Sequence, residues 1–559
     1  MSEEMSNVDT AWLRMEAPNN LMMITGVFVF DEPLDFERFR TTLEQRFLRF
    51  ERFRQRVVET RRGARWEVDP HFDIVNHIHR IALPAPGDQT ALQELVSDLM
   101  STPLDFTKPL WQFHLVEGYQ GGSAWICRLH HCIGDGISLM RVLLAMTDQS
   151  RDAVWQSPAA AEGTQRSRSP WRIVTGPATA AIDATRRVTG AVISGGIDLL
   201  ANPGQALEYA RLGNETTMAL GRLLLLPPDP KTIYKGPLEV PKRAVWSEAI
   251  SLPKVKAIGR ATGSTVNDVL LSAVAGALRR YAQTRAQPVE GLNVRGAIPV
   301  NLRQESATIE LGNHFGLVFL ALPLGIDDPL DRLFELKRRM DELKNSQEAV
   351  VVFGILNAIG IAPSEIEDLV VTIFGTKATA VMTNVPGPRQ QIYFAGAPVR
   401  EMMFWVPQSG RLGLGVSIFS YNDQVWLGVA TDHSLVPDPE TIVAYYIEEI
   451  DQLYALIQQA AEAPAAAEAF TADEVVEQAP AAPVFPPPAS EAVRLNGDDL
   501  TRLVGVGPAF AARLAAGGID SFAALAASTP DTLAAIIQAP DWRRPDYASW
   551  IEQAQTRAR

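Results

Sequence analysis

Short apolar runs alternate with amphipathic stretches in two long blocks of the sequence, and this alternation constrains the fold more than any other feature. Strand patterns fall at residues 22–30, 123–130, 292–303 and 315–324. Helical patterns fall at residues 137–149, 264–282 and 437–459, and residues 36–59 indicate an amphipathic helix and the chain that follows it. Residues 412–432 predict a β-hairpin with Asn422 and Asp423 at its tip. The pattern favours an α/β (α+β) fold in two parts.

The composition between and after these blocks suggests further boundaries. Residues 152–172 have the composition of an exposed loop, and residues 173–226 are helical in pattern, with arginines among apolar residues. Residues 461–492 are rich in Ala and Pro, carry acidic residues, and are typical of a semi-extended linker. The predicted domains are two lobes at 1–160 and 241–460, a helical connection at 161–240, the linker at 461–492 and a small all-α domain at 493–559.

Charge and cysteine content exclude several classes of protein. The 559 residues contain 51 Lys and Arg against 65 Asp and Glu, a net charge of −14, which argues against general nucleic-acid binding. The only cysteines are Cys127 and Cys132, so a disulfide framework and a zinc ribbon are both excluded. The acidic start has no apolar signal region, and no apolar run reaches the roughly 18 residues that a spanning helix needs.

The stretch RLHHCIGDGISL places His130 and His131 four residues before Asp135, and three interpretations are open. A metal site needs more ligands, because adjacent strand residues point to opposite faces and a catalytic zinc takes three protein ligands. No HxxH or HExxH pair occurs elsewhere. The second interpretation is a strand end whose polar side chains are simply satisfied.

The third interpretation is a general base at His131. A neutral imidazole can accept a proton from a hydroxyl near neutral pH. Gly134 and Gly136 permit a tight turn, and Asp135 could fix the turn and the ring, directly or through an arginine. Cys132 could be proposed as a nucleophile, but neighbours in sequence need not face one another, and no GxSxG motif is present. A base without its own nucleophile implies direct transfer to a substrate hydroxyl.

The residues HHCIGDG match the HHxxxDG motif of the coenzyme A-dependent acyltransferase superfamily, which includes chloramphenicol acetyltransferase and the condensation domains of peptide synthetases. Residues 108–118 resemble the PLW motif of the wax ester synthase/diacylglycerol acyltransferase family within it. Residues 266–281 resemble the ND motif of that family, and residues 383–402 resemble its NVPGP region. The DFGWG motif of the plant acyltransferases is absent. The resemblance covers about residues 8–458 and leaves out the linker and the tail.

This resemblance implies two lobes, each like chloramphenicol acetyltransferase, with a tunnel between them. It implies that acyl-coenzyme A enters as a substrate from one face and the acceptor from the other, with no cofactor. The reaction would transfer a fatty acyl group directly to diacylglycerol or a long-chain alcohol, at a membrane or lipid-droplet surface on the cytoplasmic side. The alternatives are another hydroxyl or amine acceptor, as in glycolipid or polyketide assembly, and a non-catalytic lipid-surface protein.

The resemblance also assigns site residues. His131 is the expected base, while His130 and Asp135 orient or pack. Asn267 either positions the acyl carbonyl or its oxyanion, or else caps a helix. The predicted substrate-binding residues are Gly136, Asp268, Asn384, Pro386 and Gly387. Arg303 could pair with a carboxylate such as Asp135 or bind a coenzyme A phosphate, residues 109–111 hold the His131 strand, and Asp432 and His433 are structural.

The tail resembles a helix-hairpin-helix module. Gly505, Gly507 and Pro508 would form the hairpin, with Leu514 and Ile519 packed behind it. Such modules often bind DNA phosphates through backbone amides. Acidic residues balance the arginines here, so DNA binding is the weaker interpretation and a protein-protein or oligomerisation role is favoured.

Overall fold

The structure of the chain is a computed structural model that forms two compact units, residues 1–473 and 474–559. The residues that it describes are 2–60, 63–153, 223, 226–303, 309–344, 348–359, 371–373, 375–408, 412–470, 498, 500, 503, 506, 513–515, 517–537 and 547–557. The predicted loop at 152–172 and the helical connection at 173–226 lie almost wholly outside the described residues.

The first unit contains sixteen strands within the described residues. They are β1 (Ser2–Glu4), β2 (Met23–Phe30), β3 (Gln55–Thr60), β4 (Gly63–Val68), β5 (Ile78–Ala82), β6 (Trp111–Tyr119), β7 (Gly122–His130), β8 (Lys242–Trp246), β9 (Ile250–Ser251), β10 (Val294–Asn301), β11 (Phe315–Leu322), β12 (Ala380–Pro386), β13 (Tyr393–Phe394), β14 (Ala397–Trp405), β15 (Leu414–Tyr421) and β16 (Gln424–Asp432). The helices of the same unit are α1 (Asn7–Arg14), α2 (Phe36–Thr42), α3 (Gln89–Met100), α4 (Gly136–Leu144), α5 (Leu252–Thr262), α6 (Val266–Thr284), α7 (Pro329–Lys344), α8 (Glu348–Ile359) and α9 (Pro439–Phe470).

A six-stranded sheet in the order β13-β14-β2-β7-β6-β5 forms the first lobe. Every residue of β2 and β7 is buried, because both faces of these central strands are covered. β14 pairs antiparallel with β2 although it lies in the predicted second lobe of the sequence. The lobes in space therefore do not coincide with the predicted segments 1–160 and 241–460, since the second segment supplies two strands to the first sheet.

The second lobe is a sheet of seven strands in the described part of the chain, in the order β11-β10-β12-β15-β16-β8, with β9 also paired to β16. Its central strands β10, β12 and β15 run parallel, and the others pair antiparallel. α6 and α9 pack together on this sheet in a second core. The predicted hairpin is confirmed: Asn422 and Asp423 join β15 to β16 with φ angles of 48° and 57°, which two-residue turns of this kind require.

Several elements differ in extent from the sequence predictions. The helix expected from residue 36 ends at Thr42 and continues as a π turn over Leu43–Phe47, before β3 begins at Gln55. α4 ends at Leu144, five residues short of the predicted end. α9 continues to Phe470, so the first ten residues of the expected linker are helical. Alanine is the strongest helix former, and this stretch is rich in it.

The second unit has helices α10 (Phe522–Ala526), α11 (Pro530–Ile537) and α12 (Tyr547–Arg557). Leu514 and Ile519 are buried in its core together with Trp550, as the helix-hairpin-helix interpretation requires. The predicted hairpin residues Gly505, Gly507 and Pro508 lie outside the described residues. Among all described residues, no helix is long and apolar enough to cross a membrane, and no group of His, Cys, Asp or Glu side chains could hold a metal ion.

A buried ion pair fixes the edge of the second sheet. The Lys242 ammonium lies 2.6 Å from an Asp432 carboxylate oxygen that also accepts a hydrogen bond from the Glu239 backbone at 2.9 Å. The other carboxylate oxygen accepts from the backbone of Ser434 at 3.1 Å. Asp432 has no exposed surface, so the predicted structural role of this residue is confirmed.

Replacing Asp432 by Ala would leave the buried ammonium of Lys242 without its carboxylate. We expect the free energy of unfolding to fall by about 3–5 kcal/mol, because an unpaired buried charge is costly. The midpoint of thermal unfolding of the full chain measures this loss. Asp451→Ala is the matched control, since it removes an exposed ion pair with Lys254 that contributes about 0–1 kcal/mol. Equal midpoints for the two variants would contradict the prediction.

Candidate active site

His131 follows directly on the last residue of β7 and opens a single 3₁₀ turn over His131–Ile133. Its backbone N–H donates to the Met22 carbonyl at 2.7 Å, and its carbonyl accepts from Gly134 at 3.2 Å. The preceding residue is anchored as predicted for the PLW segment, since the His130 N–H donates to the Leu110 carbonyl at 3.0 Å. The main chain at His131 is therefore held on both sides.

The imidazole of His131 lies among aromatic rings. The ring of Trp12 stacks on it with a centroid distance of 4.0 Å and an interplanar angle of 21°, and Phe315 lies 5.7 Å away. Burial lowers the pKa of His131 to about 4, while the charge of Asp135 acts in the opposite direction. The imidazole is therefore neutral at physiological pH. Nδ1 is buried, and His131 lines the cavity between the lobes.

His130 packs and orients, as predicted. Its Nδ1 accepts a hydrogen bond from the Cys132 backbone at 3.1 Å, and its Nε2 lies 3.4 Å from a Glu16 carboxylate oxygen. The ring is fully buried. Cys132 is also buried, and burial raises the pKa of its thiol well above the usual range. A thiol of that kind is a poor nucleophile, so the weaker alternative of a Cys132 nucleophile loses its physical basis.

Asp135 joins the two lobes. One of its carboxylate oxygens caps α4 by accepting from the Ser138 backbone at 2.9 Å. The other accepts from the guanidinium of Arg303 and from the His314 backbone at 3.0 Å. Of the two roles predicted for Arg303, pairing with Asp135 is the one that the structure shows. Gly134 and Gly312 complete this junction as a parallel β-bridge.

A cavity with an empty volume of about 910 Å³, part of it open to solvent, lies between the lobes in front of His131. Both lobes and the start of α4 contribute to its wall. The lining residues are Trp12, His131, Asp135, Gly136, Ile137, Pro299, Val300, Asn301, Phe315, Leu317, Val381, Thr383, Asn384, Val385, Val406 and Pro407. This cavity lies between the lobes, where the sequence predicts a tunnel; the opening of a tunnel at two faces stays a prediction.

An apolar pocket adjoins the cavity and has an empty volume of about 480 Å³. The two share Gly136, Thr383, Val385 and Val406 as wall residues. The remaining lining residues are Ile24, Gly26, Cys127, Leu129, Leu139, Met140, Leu143, Phe404, Ile418 and Phe419. The wall contains no charged side chain, so the pocket favours a hydrocarbon chain over a polar group.

Asn267 and Asp268 of the ND motif do not line the cavity themselves, and Asn267 contacts a residue that does. Asn267 accepts a hydrogen bond from the Asn384 side chain at 2.8 Å, and Asn384 lines the cavity. The helix-capping interpretation of Asn267 is wrong, because Thr265 caps α6. The predicted substrate contact of Asp268 is also corrected: its side chain closes the capping box with the Thr265 backbone at 2.8 Å, and it is fully buried.

Of the other predicted substrate-binding residues, one lines the cavity and two do not. Gly136 lies on the cavity wall, in line with its prediction as a substrate-binding residue. Pro386 is the last residue of β12 and Gly387 donates its backbone N–H to the Ser420 carbonyl at 2.6 Å. Neither is among the lining residues that the described part of the chain provides for the cavity or the pocket.

Sequence reasoning missed the residues that surround the base. Trp12, Asp9 and Asn313 lie outside HHxxxDG and outside the other motifs that the sequence offers. Asn313 donates from its side chain to the His131 carbonyl at 2.8 Å and to Asp9 at 2.7 Å. The signal that could have found them is an aromatic and an acidic residue three apart on one helical face of α1.

The site consists of a buried, neutral histidine at the end of β7, on the wall of a cavity between two sheets. The sheets are connected by β14, which comes from the second segment and pairs in the first sheet. This fold and this site are those of a coenzyme A-dependent acyltransferase of the HHxxxDG class. Within that class the chain belongs to the wax ester synthase/diacylglycerol acyltransferase family. The catalytic-domain model of the family matches residues 5–270, and the model of its C-terminal domain matches residues 311–454. The RS2/RL21/YNQ2 HHH domain model matches residues 500–558 of the tail.

Relatives and solved structures agree with this placement. A putative diacylglycerol O-acyltransferase of Mycobacterium bovis is 28% identical over 471 residues, covering 81% of this chain and 96% of the relative. The probable diacylglycerol O-acyltransferase tgs1 of Mycobacterium tuberculosis H37Rv has the same identity and coverage. The wax ester synthase/diacylglycerol acyltransferase structure from Marinobacter aquaeolei VT8 matches with a TM-score of 0.58 and 22% identity, over 81% of this chain and 100% of that one. The predicted fold class is thereby confirmed.

A double-mutant cycle tests the pairing of the two asparagines. If Asn267 acts through Asn384, we expect Asn267→Ala to add little to the loss of kcat/KM already caused by Asn384→Ala. The coupling energy would be about 0.5–3 kcal/mol, as for residues in one hydrogen-bonded unit. The rate of coenzyme A release measures it. Additive losses would contradict the pairing and would give Asn267 an independent contact with the substrate.

Proposed function

We propose that the protein transfers a fatty acyl group from acyl-coenzyme A to the hydroxyl of diacylglycerol or of a long-chain alcohol, with His131 as the general base. The observation that carries the proposal is the position of His131 on the wall of a cavity that shares wall residues with an uncharged apolar pocket. The cavity offers room for a reacting hydroxyl and thioester, and we assign the acyl chain to the side of the pocket because its wall is apolar. Family membership and the names of the mycobacterial relatives support the same reaction.

The chemistry follows from a neutral imidazole on the cavity wall, with Nε2 assigned as the proton acceptor. The acceptor hydroxyl gives its proton to Nε2 while its oxygen attacks the thioester carbonyl carbon. The tetrahedral intermediate collapses with cleavage of the carbon–sulfur bond, and the coenzyme A thiolate takes the proton from the imidazolium. No covalent acyl-enzyme forms. The base must be unprotonated at the start, and the low pKa of His131, about 4, meets that requirement at neutral pH.

Asn384 is the polar group that we assign to the reacting carbonyl. It lies on the cavity wall and its side chain is fixed by Asn267. An amide held in place costs little reorganisation when charge develops in the transition state. Gly136, at the first turn of α4, leaves open space at the same wall, since the nearest atom to a Cβ built there would be Val406 Cγ1 at 3.8 Å.

Diacylglycerol and the long-chain alcohol are both acceptors in this proposal. Both, like the acyl chain, partition out of water, so we place the reaction at a membrane or lipid-droplet surface. We assign residues 173–226 to such a surface from their sequence alone, because the pattern is typical of an amphipathic helix with arginines among apolar residues. The balanced charge of the tail favours a protein partner for that domain over DNA.

The first test measures release of free coenzyme A from palmitoyl-coenzyme A, with diacylglycerol and separately with hexadecanol as acceptor. We expect release to require an acceptor, and His131→Ala to lower kcat by about 10²–10⁴-fold, the usual contribution of a general base. His433→Ala is the matched control, because His433 is an exposed histidine of the same chain. The ratio of the two acceptor rates decides which product dominates.

Three results would overturn this assignment. Full turnover in His131→Ala would remove the base and favour a different chemistry. Release that neither acceptor accelerates would mean that the acceptor is another hydroxyl or amine, as in glycolipid or polyketide assembly. A protein that binds lipid surfaces without turnover would give no release at all.

The apolar pocket yields a second test. Met140 is buried in its wall, so Met140→Trp would fill space that a long acyl chain needs. We expect the kcat/KM ratio of palmitoyl- to butyryl-coenzyme A to fall on the order of tenfold or more, because several methylenes lose their contacts. Val68→Trp, at an exposed position of β4, should leave the ratio unchanged. An unchanged ratio in Met140→Trp would mean that the acyl chain lies elsewhere.

A further inference from the structure

Two aromatic side chains outside the motif, Trp12 of α1 and Phe315 of β11, lie against the ring of His131. Trp12 is 3% exposed and stacks on the imidazole, and it also lies 5.8 Å from the ring of Phe315. The ring of His131 therefore has an aromatic neighbour from each of two segments. A stacked ring at 4.0 Å leaves no room for water on that face of the imidazole.

A chain of hydrogen bonds connects the same helix to the main chain of the base. One carboxylate oxygen of Asp9 accepts from both the backbone and the side chain of Asn313, at 2.9 and 2.7 Å. The same side-chain amide donates to the His131 carbonyl at 2.8 Å. Both acceptors are oxygens, so the orientation of the Asn313 amide is fixed by its partners. Asp9 and Asn313 are 6% and 2% exposed. Hydrogen bonds are electrostatically stronger in such a buried environment than in water, so these bonds hold the His131 backbone firmly.

The aspartate of the HHxxxDG motif does not make these contacts to His131. The carboxylate of Asp135 instead accepts hydrogen bonds from Ser138, Arg303 and the His314 backbone. The carboxylate that the motif supplies thus fixes the turn and the lobes. The plane of the imidazole is constrained by other residues. Trp12 is the side chain in direct contact with the ring face, and Asp9 lies three residues before it on α1.

We propose that Trp12 is a positioning residue for His131, which keeps water from one face of the imidazole and fixes the ring plane so that Nε2 faces the cavity. Asp9 and Asn313 hold the backbone carbonyl of His131 against the same helix. The inference rests on the proposed role of His131 as the base. It assigns the N-terminal helix a part in the chemistry, through His131 and without contact with the reacting atoms.

The electrostatic surroundings support this assignment. Burial lowers the pKa of His131 to about 4, and Trp12 covers one face of the ring. The charged and titratable groups around the site are Asp9, Glu16, Arg52, His130, Asp135, Arg303 and His314. Among them Asp135 raises the pKa of His131 and His130 lowers it. Removing the cover and removing Asp135 must therefore move the pKa in opposite directions.

The test compares three variants of the full chain. Trp12→Ala admits water to the imidazole, so its pKa should rise toward the ordinary value near 6.5, by at least about one unit. Trp12→Phe keeps an aromatic face and should retain the wild-type titration. Asp135→Asn removes the carboxylate charge and should lower the pKa further. The protonated imidazole is not a base, so the acid limb of kcat/KM should move up in Trp12→Ala and return in Trp12→Phe.

Histidine Cε1 resonances of ¹³C-labelled protein report the titration directly, and the resonance missing in His131→Ala identifies His131. This readout does not need turnover, so it separates the two proposals: acceptor-dependent coenzyme A release tests the reaction, and the titration tests Trp12. If Trp12→Ala does not fold, Trp12→Gln fills more of the space and still admits water. A His131 titration and a pH profile that stay unchanged in the folded variant would overturn the inference and leave Trp12 a packing residue.

Discussion

The junction around Asp135 is the interaction on which the rest of the site depends. Its carboxylate caps α4 in the first lobe and holds the Arg303 guanidinium and the His314 backbone of the second. The Gly134–Gly312 bridge lies beside it and leaves no room for a side chain at Gly134, where a Cβ would come 2.5 Å from the Ser138 hydroxyl. A cavity between two sheets keeps its shape only if the sheets are fixed to each other, and this junction fixes them next to the base. The aspartate of the motif, and Gly134 before it, are thus explained by architecture.

The pairing of β14 with β2 is a second connection between the two lobes. β14 pairs with β2 along Met402–Trp405, and the chain reaches the cavity wall at Val406 directly afterwards. Val406 lines both the cavity and the apolar pocket, so the position of that wall is set by the register of β14 in the first sheet. Gly26 permits the approach, because a Cβ there would lie 2.4 Å from the ring of Phe404. The pocket is consequently a product of both lobes.

Sequence alone predicted the elements whose signals are local. The strand before His131, the turn around Asp135 and the hairpin at Asn422 depend on residues close in sequence, and each was found. The exchange of β14 was not predicted, because its antiparallel pairing with β2 joins segments more than 350 residues apart and leaves no local periodicity. Asn267 was assigned a choice between capping and catalysis, and the structure gives it a partner, Asn384, that no local pattern indicates. Trp12 and Asn313 were missed for the same reason.

The low pKa of the base and the dryness of the site have one physical cause. An imidazole that water cannot reach is costly to protonate, and a thioester in the same environment is protected from hydrolysis. The direct transfer that we propose needs both conditions, since it has no covalent intermediate to hold the acyl group while the acceptor arrives. Trp12 and Phe315 cover the imidazole, and the cavity wall beyond it is largely apolar. In the proposed reaction the hydrocarbon chains of both substrates would extend this apolar cover on binding, which disfavours the charged imidazolium.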